Sequence, residues 1–270
     1  MKKQIACVAL ILFLALAAAP AGAHMLWLNP MDANPAVGDT VEIGIGWGHE
    51  FPASRSHEEV KPDRVEAIQA LDPDGAVVQL EKAAVDRYRL KIEKAGAYIV
   101  TARIKPGFFT MTPEGRKWGH KKEIANATKC TSFQIEAKTV LVAGDKADRF
   151  DAAAGQALEL IPAAESRRLK AGGTFAAQVR YQGSPLADAA VKAVYAGYQE
   201  PKSEGPAGAE KQHGIKRYPV ETRTDAQGRV EFKPDRAGHW LIILSHKPAY
   251  PDPETCDESM YTVTYAMEVI

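Results

Sequence analysis

Thr224-Asp225-Ala226-Gln227-Gly228-Arg229-Val230-Glu231-Phe232 holds the local pattern on which the architecture turns. An aspartate side chain can cap the backbone N–H groups that follow it, and a glycine takes positive φ without a Cβ clash. Asp225 and Gly228 therefore bracket a tight hairpin turn. Val230 and Phe232 alternate with Glu231, the two-residue period of a strand with one buried face. The same grammar recurs on either side. Phe175, Ala177, Val179 and Tyr181 alternate across 174–181, and Gly183-Ser184-Pro185-Leu186-Ala187-Asp188-Ala189 supplies a turn. Further strands are expected at 140–143, 157–161, 191–195, 238–245 and 261–269. The first half repeats the pattern at 40–46, 64–71, 76–81, 88–92, 96–104 and 132–137, with Asp72-Pro73-Asp74-Gly75 as a turn in which Pro presets φ. Two segments break the rhythm. Residues 105–128, rich in Gly, Pro, Lys and aromatics, read as a long lid-like loop, and 201–212 as a surface loop.

Short strands at this spacing, with almost no helical periodicity, predict an all-β protein of two immunoglobulin-like β-sandwich domains in tandem, 24–138 and 139–270. The order G-x-P-L-x-x-A, T-D-x-x-G-x-V-x-F and A-G-x-W-x-I across 183–242 resembles prealbumin-like or carboxypeptidase-regulatory sandwiches, which implies a prealbumin-like second domain.

The N-terminus reads as a secretory signal peptide over 1–23. Lys2 and Lys3 form a basic start, residues 5–19 an apolar run, and Ala21-Gly22-Ala23 a small-residue cleavage site. The apolar run is short for a transmembrane helix, which needs about 20 residues. The expectation is an exported, periplasmic or otherwise secreted protein with no membrane insertion after cleavage. The whole chain balances 34 basic against 34 acidic residues, and losing Lys2 and Lys3 leaves 32 against 34. Near-neutral charge argues against nucleic acid as a partner. Cys7 goes with the signal, so Cys130 and Cys256 remain as an even pair in an oxidising compartment. A disulfide is the natural expectation, and two unrelated buried thiols the alternative.

Cleavage after Ala23 leaves His24 as the first residue. Its α-amine, titrating near pH 8, and its imidazole can then chelate one metal ion. Nitrogen ligands of this kind suit Cu(II), Ni(II) and Zn(II), with copper favoured on raw affinity. A second imidazole is available at His49 in Gly46-Trp47-Gly48-His49-Glu50-Phe51-Pro52, where glycines let the chain bend; Glu50 and His120 are further candidate ligands. The bland alternative is that His24 merely follows the cleavage site and His49 is a hydrogen-bonded turn histidine. His57 and His213 sit in polar segments and are expected at the surface, His239 half-buried in a strand, His246 on a loop. No H-E-x-x-H, C-x-x-C, G-x-S-x-G or Walker glycine loop occurs, so no enzyme is expected. Copper-dependent oxidation of a polysaccharide would also require an exposed aromatic platform, for which Trp27, Trp47 and Trp118 are the candidates.

The start His24-Met25-Leu26-Trp27-Leu28, the stretch 35–41 leading to Gly48-His49-Glu50-Phe51-Pro52, and Leu71-Asp72-Pro73-Asp74-Gly75, with the second-half motifs, resemble the exported DUF4198 family. The resemblance covers nearly the whole mature chain. It implies the periplasmic component, or a relative of it, of a cobalt or nickel uptake system: a divalent transition metal (Ni, Co or Cu) held by His24 and His49, and a membrane metal-uptake permease as partner. The contrasting expectation is a cell-envelope β-sandwich module that binds protein or glycan and has no metal role.

Overall fold

The computed structural model describes residues 24–49, 51–52, 61–200 and 217–270. The expected signal peptide, Glu50, His57, His213 and the 201–212 loop lie outside the described residues. In chain order the strands of the first half are β1 (Met25–Pro30), β2 (Thr40–Gly48), β3 (Val65–Leu71), β4 (Val77–Gln79), β5 (Glu81–Lys82), β6 (Arg87–Lys91), β7 (Gly96–Ile104), β8 (Gly107–Thr112) and β9 (Gly115–Trp118). Then follow β10 (Lys129–Ala143), β11 (Leu158–Pro162), β12 (Phe175–Tyr181), β13 (Ser184–Pro185), β14 (Ala190–Tyr195), β15 (Val220–Arg223), β16 (Arg229–Phe232), β17 (Gly238–His246) and β18 (Glu258–Val269). Apart from two 3-10 turns, no helix occurs among the described residues, so none is long and apolar enough to cross a membrane. The protein is all-β, as its alternating patterns predict.

A long central sheet runs β15-β14-β17-β18-β10-β7-β3-β4, with β8 pairing β10 and β9 pairing β8. A sheet of order β1-β2-β6-β5 and another built on β11, β12, β13 and β16 complete the structure. Alternation along β7 and β10 explains how they fit together. Tyr98, Val100, Ala102, Ile135, Ala137 and Leu141 pack with Leu26, Leu28, Val41, Ile43 and Leu90 of the β1 sheet. Their neighbours Ala97, Ile99, Val140 and Val142 point the other way, into a core with Leu160, Phe175, Val179 and Phe232 of the β12 sheet. β10 is thus covered on both faces, which is why Lys129–Ala143 reads as a nearly continuous buried run. Two β-sandwiches share one sheet, and the expected division between 138 and 139 falls inside β10, which serves both cores.

Two local expectations differ from what forms. Residues 105–128 contain a hairpin: β8 and β9 pair antiparallel, with Phe109 opposite Trp118 and Gly115 at φ 115 by the turn. The β-forming run Phe108-Phe109-Thr110-Met111-Thr112 outweighs the loop signal of the surrounding Gly, Pro and Lys. The turn at 224–228 forms as its residues dictate. Asp225 Oδ1 accepts the N–H groups of Gln227 and Arg229, both at 2.8 Å, and Gly228 sits at φ 71. It is nonetheless a corner between sheets, because β15 pairs with β14 while β16 pairs with β12. Burial of Val230 and Phe232 beside Phe175 decides the destination, and the Thr224 hydroxyl pins the corner by donating to the Leu186 carbonyl at 2.6 Å. Finally, β10 and β18 pair in parallel within an otherwise antiparallel set.

Candidate metal-binding site

β1 and β2 are antiparallel with Met25 opposite Gly48, Trp27 opposite Gly46 and Asn29 opposite Gly44. Continuing that register by one step sets His24 across from His49. Val41, Ile43, Ile45 and Trp47 point into the core at every second position of β2, and His49, 8% exposed, extends the series. The imidazole rings of His24 and His49 lie 4.4 Å apart between centroids, tilted by 43°. The Trp47 indole stacks on His24 at 5.3 Å with an interplanar angle of 8°. The pair caps the end of the first sandwich core.

The chain beyond His49 is fixed by folding back across β1. The Pro52 carbonyl accepts two hydrogen bonds at 2.9 Å, one from Trp27 Nε1 and one from Asn29 Nδ2. Phe51 is buried, edge-on to Trp27 at 6.0 Å. The Trp27 indole reaches Pro52 by crossing directly over Gly46: a Cβ there would stand 1.9 Å from Nε1. The glycines around His49 therefore do more than permit a bend. Gly46 is the space through which a buried tryptophan anchors the histidine segment.

A shared ion can be tested against these distances. With metal–nitrogen bonds of about 2.1 Å and the ring centre roughly 1.1 Å beyond the nitrogen, each centroid stands about 3.2 Å from the ion. Two imidazoles on one ion would therefore stand no more than about 6.4 Å apart between centroids, and the 4.4 Å separation of His24 and His49 lies within that reach.

The other candidate ligands are placed differently. Glu50 lies outside the described residues. His120 follows β9, with Nε2 3.3 Å from Glu123 Oε1 and its ring edge-on to Phe108 at 5.5 Å. Among the described residues no group of three or more His, Cys, Asp and Glu side chains is placed to hold a metal, so His120 does not join the pair. His239 is exposed where half-burial was expected. His246 closes β17 instead of lying on a loop, packed edge-on to Tyr181 at 4.6 Å, and burial lowers its pKa. Of the three tryptophans considered for an aromatic platform, Trp27 and Trp47 are buried and Trp118 is 60% exposed. Cys130 and Cys256 form a disulfide, Cα atoms 4.9 Å apart, which ties the start of β10 to the segment entering β18. The stacking of Trp47 on His24 was not anticipated, although the i, i+2 spacing of Trp47 and His49 in a strand holds the signal.

The model of a domain of unknown function, DUF4198, matches residues 21–248. The chain belongs to the DUF4198 family. That match takes in the whole β1–β2 unit, so the histidine pair of this DUF4198 protein lies within the family's domain. No curated protein matches the chain. Among solved structures, the D0-D1 domain of Intimin is 9% identical over 92% of this chain and 100% of that one, with a TM-score of 0.24. The D00-D0 domain of Intimin is 13% identical over 91% and 100%, with a TM-score of 0.22. A Salmonella alpha-2-macroglobulin is 14% identical over 93% of this chain and 15% of that one, also at 0.22. At these scores the neighbours bear on neither ligand nor activity.

Proposed function

We propose that this protein is an exported binding protein for a divalent transition metal, acting in metal uptake or handling outside the cytoplasm. The observation that carries the proposal is the His24–His49 pair at 4.4 Å, built on adjacent strands and backed by the Trp47 indole. Signal cleavage after Ala23 would convert the His24 nitrogen from an amide into an amine and so add a third nitrogen donor to the two imidazoles. An all-nitrogen set of this kind favours Cu(II) on affinity and suits Ni(II) as well, while availability decides what is carried. A membrane permease is the natural recipient of such a cargo. The decisive experiment is native mass spectrometry of protein purified from the periplasm, which reads the N-terminus and the bound metal together. One ion on a chain starting at His24, lost in His24→Ala and in His49→Ala, supports the assignment. Unchanged affinity in the double variant ends it.

A second reading, a cell-envelope module that binds glycan or protein, is favoured by one feature. Trp118 is exposed beside Phe109 and Phe133, with the Arg64 guanidinium 5.3 Å from its ring centre. Trp118→Ala would abolish glycan or protein capture under that reading and leave metal affinity unchanged.

A further inference from the structure

Lysine is almost never fully buried unless paired. Lys138 has no exposed surface at all. It stands in β10 on the face of Val140 and Val142, and its Nζ lies 2.7 Å from Oε1 of Glu159 in β11, whose side chain is 4% exposed. Glu159 is held in turn by the backbone N–H groups of Ala154 and Gly155, at 2.5 and 3.2 Å, and Nζ also faces the Ala152 carbonyl at 3.4 Å. Two residues earlier on the same face of β10, Glu136 is 7% exposed, with an Arg103 guanidinium nitrogen 3.9 Å away.

As an ion pair this arrangement gains little, because desolvating two charges costs about what their attraction returns, and apolar side chains do as well. Burial favours uncharged forms. It pushes the Lys138 ammonium pKa down against the pull of Glu159, and pushes the Glu136 carboxyl up. A lysine amine held against a buried carboxyl, with a second buried carboxyl two residues away on the same strand face, brings together the groups that a condensation needs.

We propose that Lys138 and Glu159 join in an intramolecular amide, a covalent strut between the central sheet and β11. One proton passes from the ammonium to Glu159, and Nζ then attacks Cδ. The N–C bond forms, the C–O bond to the hydroxyl breaks, and the hydroxyl leaves as water with a proton from Glu136, which takes one back from Nζ. The net change is loss of one water, with no oxidant or other reactant. In bulk water the ionised pair outweighs the neutral pair by about six powers of ten, the gap between ordinary lysine and glutamate pKa values. Held reactants reach effective molarities of about 10⁵–10⁸ M. With the ionic form also disfavoured by burial, the site can offset what prevents the reaction in solution.

The test is the intact mass of the purified mature protein, denatured and with its disulfide reduced, followed by tryptic mapping. The expected mass is one water below that of the sequence, with the Lys138 peptide linked to the Glu159 peptide. Glu159→Gln, which presents a side-chain amide to the amine, loses one ammonia instead. Lys138→Arg returns the full mass. Glu136→Gln keeps the circular dichroism spectrum of the folded protein and also returns the full mass. Wild-type protein at full sequence mass, with Lys138 recovered in a linear peptide after prolonged incubation, overturns the proposal, as does a water loss that maps to any other pair.

Discussion

Gly46→Ala tests the reasoning about the histidine segment most directly. An added Cβ would stand 1.9 Å from Trp27 Nε1, 2.1 Å from Cε2 and 2.6 Å from Cζ2. The indole has no room to yield, because Trp27 is fully buried against Met25, Phe51, Leu241 and Ile243. Overpacking of this kind costs about 1–3 kcal/mol. Displacing the ring also breaks its hydrogen bond to Pro52, a further ~1 kcal/mol. A total of about 2–4 kcal/mol lowers Tm by roughly 5–15 °C in a chain of this length. Because Pro52 anchors the chain just after His49, metal affinity should fall with stability. Gly44→Ala is the internal control: on the same strand, its Cβ meets Asn29 at an ordinary 3.7 Å, and the change should stay within about 0.5 kcal/mol. Differential scanning calorimetry of the two variants beside wild type decides the matter. Equal melting temperatures for Gly46→Ala and Gly44→Ala would refute the packing account of Gly46.

Adding one alanine before His24 should weaken metal binding by an order of magnitude or more in calorimetric titration, since it removes the chelating amine while leaving both imidazoles. Replacing Cys130 and Cys256 together by alanine should cost about 2–5 kcal/mol in denaturant unfolding, because the bridge closes a sequence separation of 126 residues. The Asp252 carboxyl, bound by the Thr255 hydroxyl and by Lys122, is held down to about 2 from an ordinary 3.8. Its folded value lies below its unfolded value, so its contribution is complete above about pH 4 and is lost as pH falls through about 2. A carboxyl NMR titration should place its midpoint there, and Asp252→Asn should flatten the acid limb of stability. Gly228→Ala should destabilise by roughly 1–3 kcal/mol in thermal unfolding, because φ is 71 and the new Cβ would stand 2.6 Å from the Val179 carbonyl oxygen.

Much of this molecule is legible along the chain. Alternation marks β2 and β12, and Asp225 with Gly228 makes the turn that its chemistry requires, because these effects operate over two to five residues. The partners of each strand are another matter. The 224–228 turn looks the same whether it closes a hairpin or turns a corner between sheets, and only the burial of Val230 and Phe232 beside Phe175 distinguishes the two. In β8, aromatic and threonine residues prevail over loop-forming neighbours once β10 offers them a ladder.

The same division runs through the candidate site. The signal-like start, the histidine at position 24 and the glycine-flanked His49 are properties of local sequence, and they suffice to nominate two ligands. That the two meet depends on one strand register, and that His120 stays apart depends on where the β8–β9 hairpin leaves the sheet. Lys138 gives no warning of its burial, since its β10 neighbours would suit an exposed lysine in a one-sided strand equally well. Local sequence determined which segments are strands and turns, because backbone preference and side-chain period are short-range. Tertiary structure alone decided which residues meet and which charges leave water, because those outcomes depend on faces contributed by separate strands, from 21 residues apart for Lys138 and Glu159 to 126 for Cys130 and Cys256.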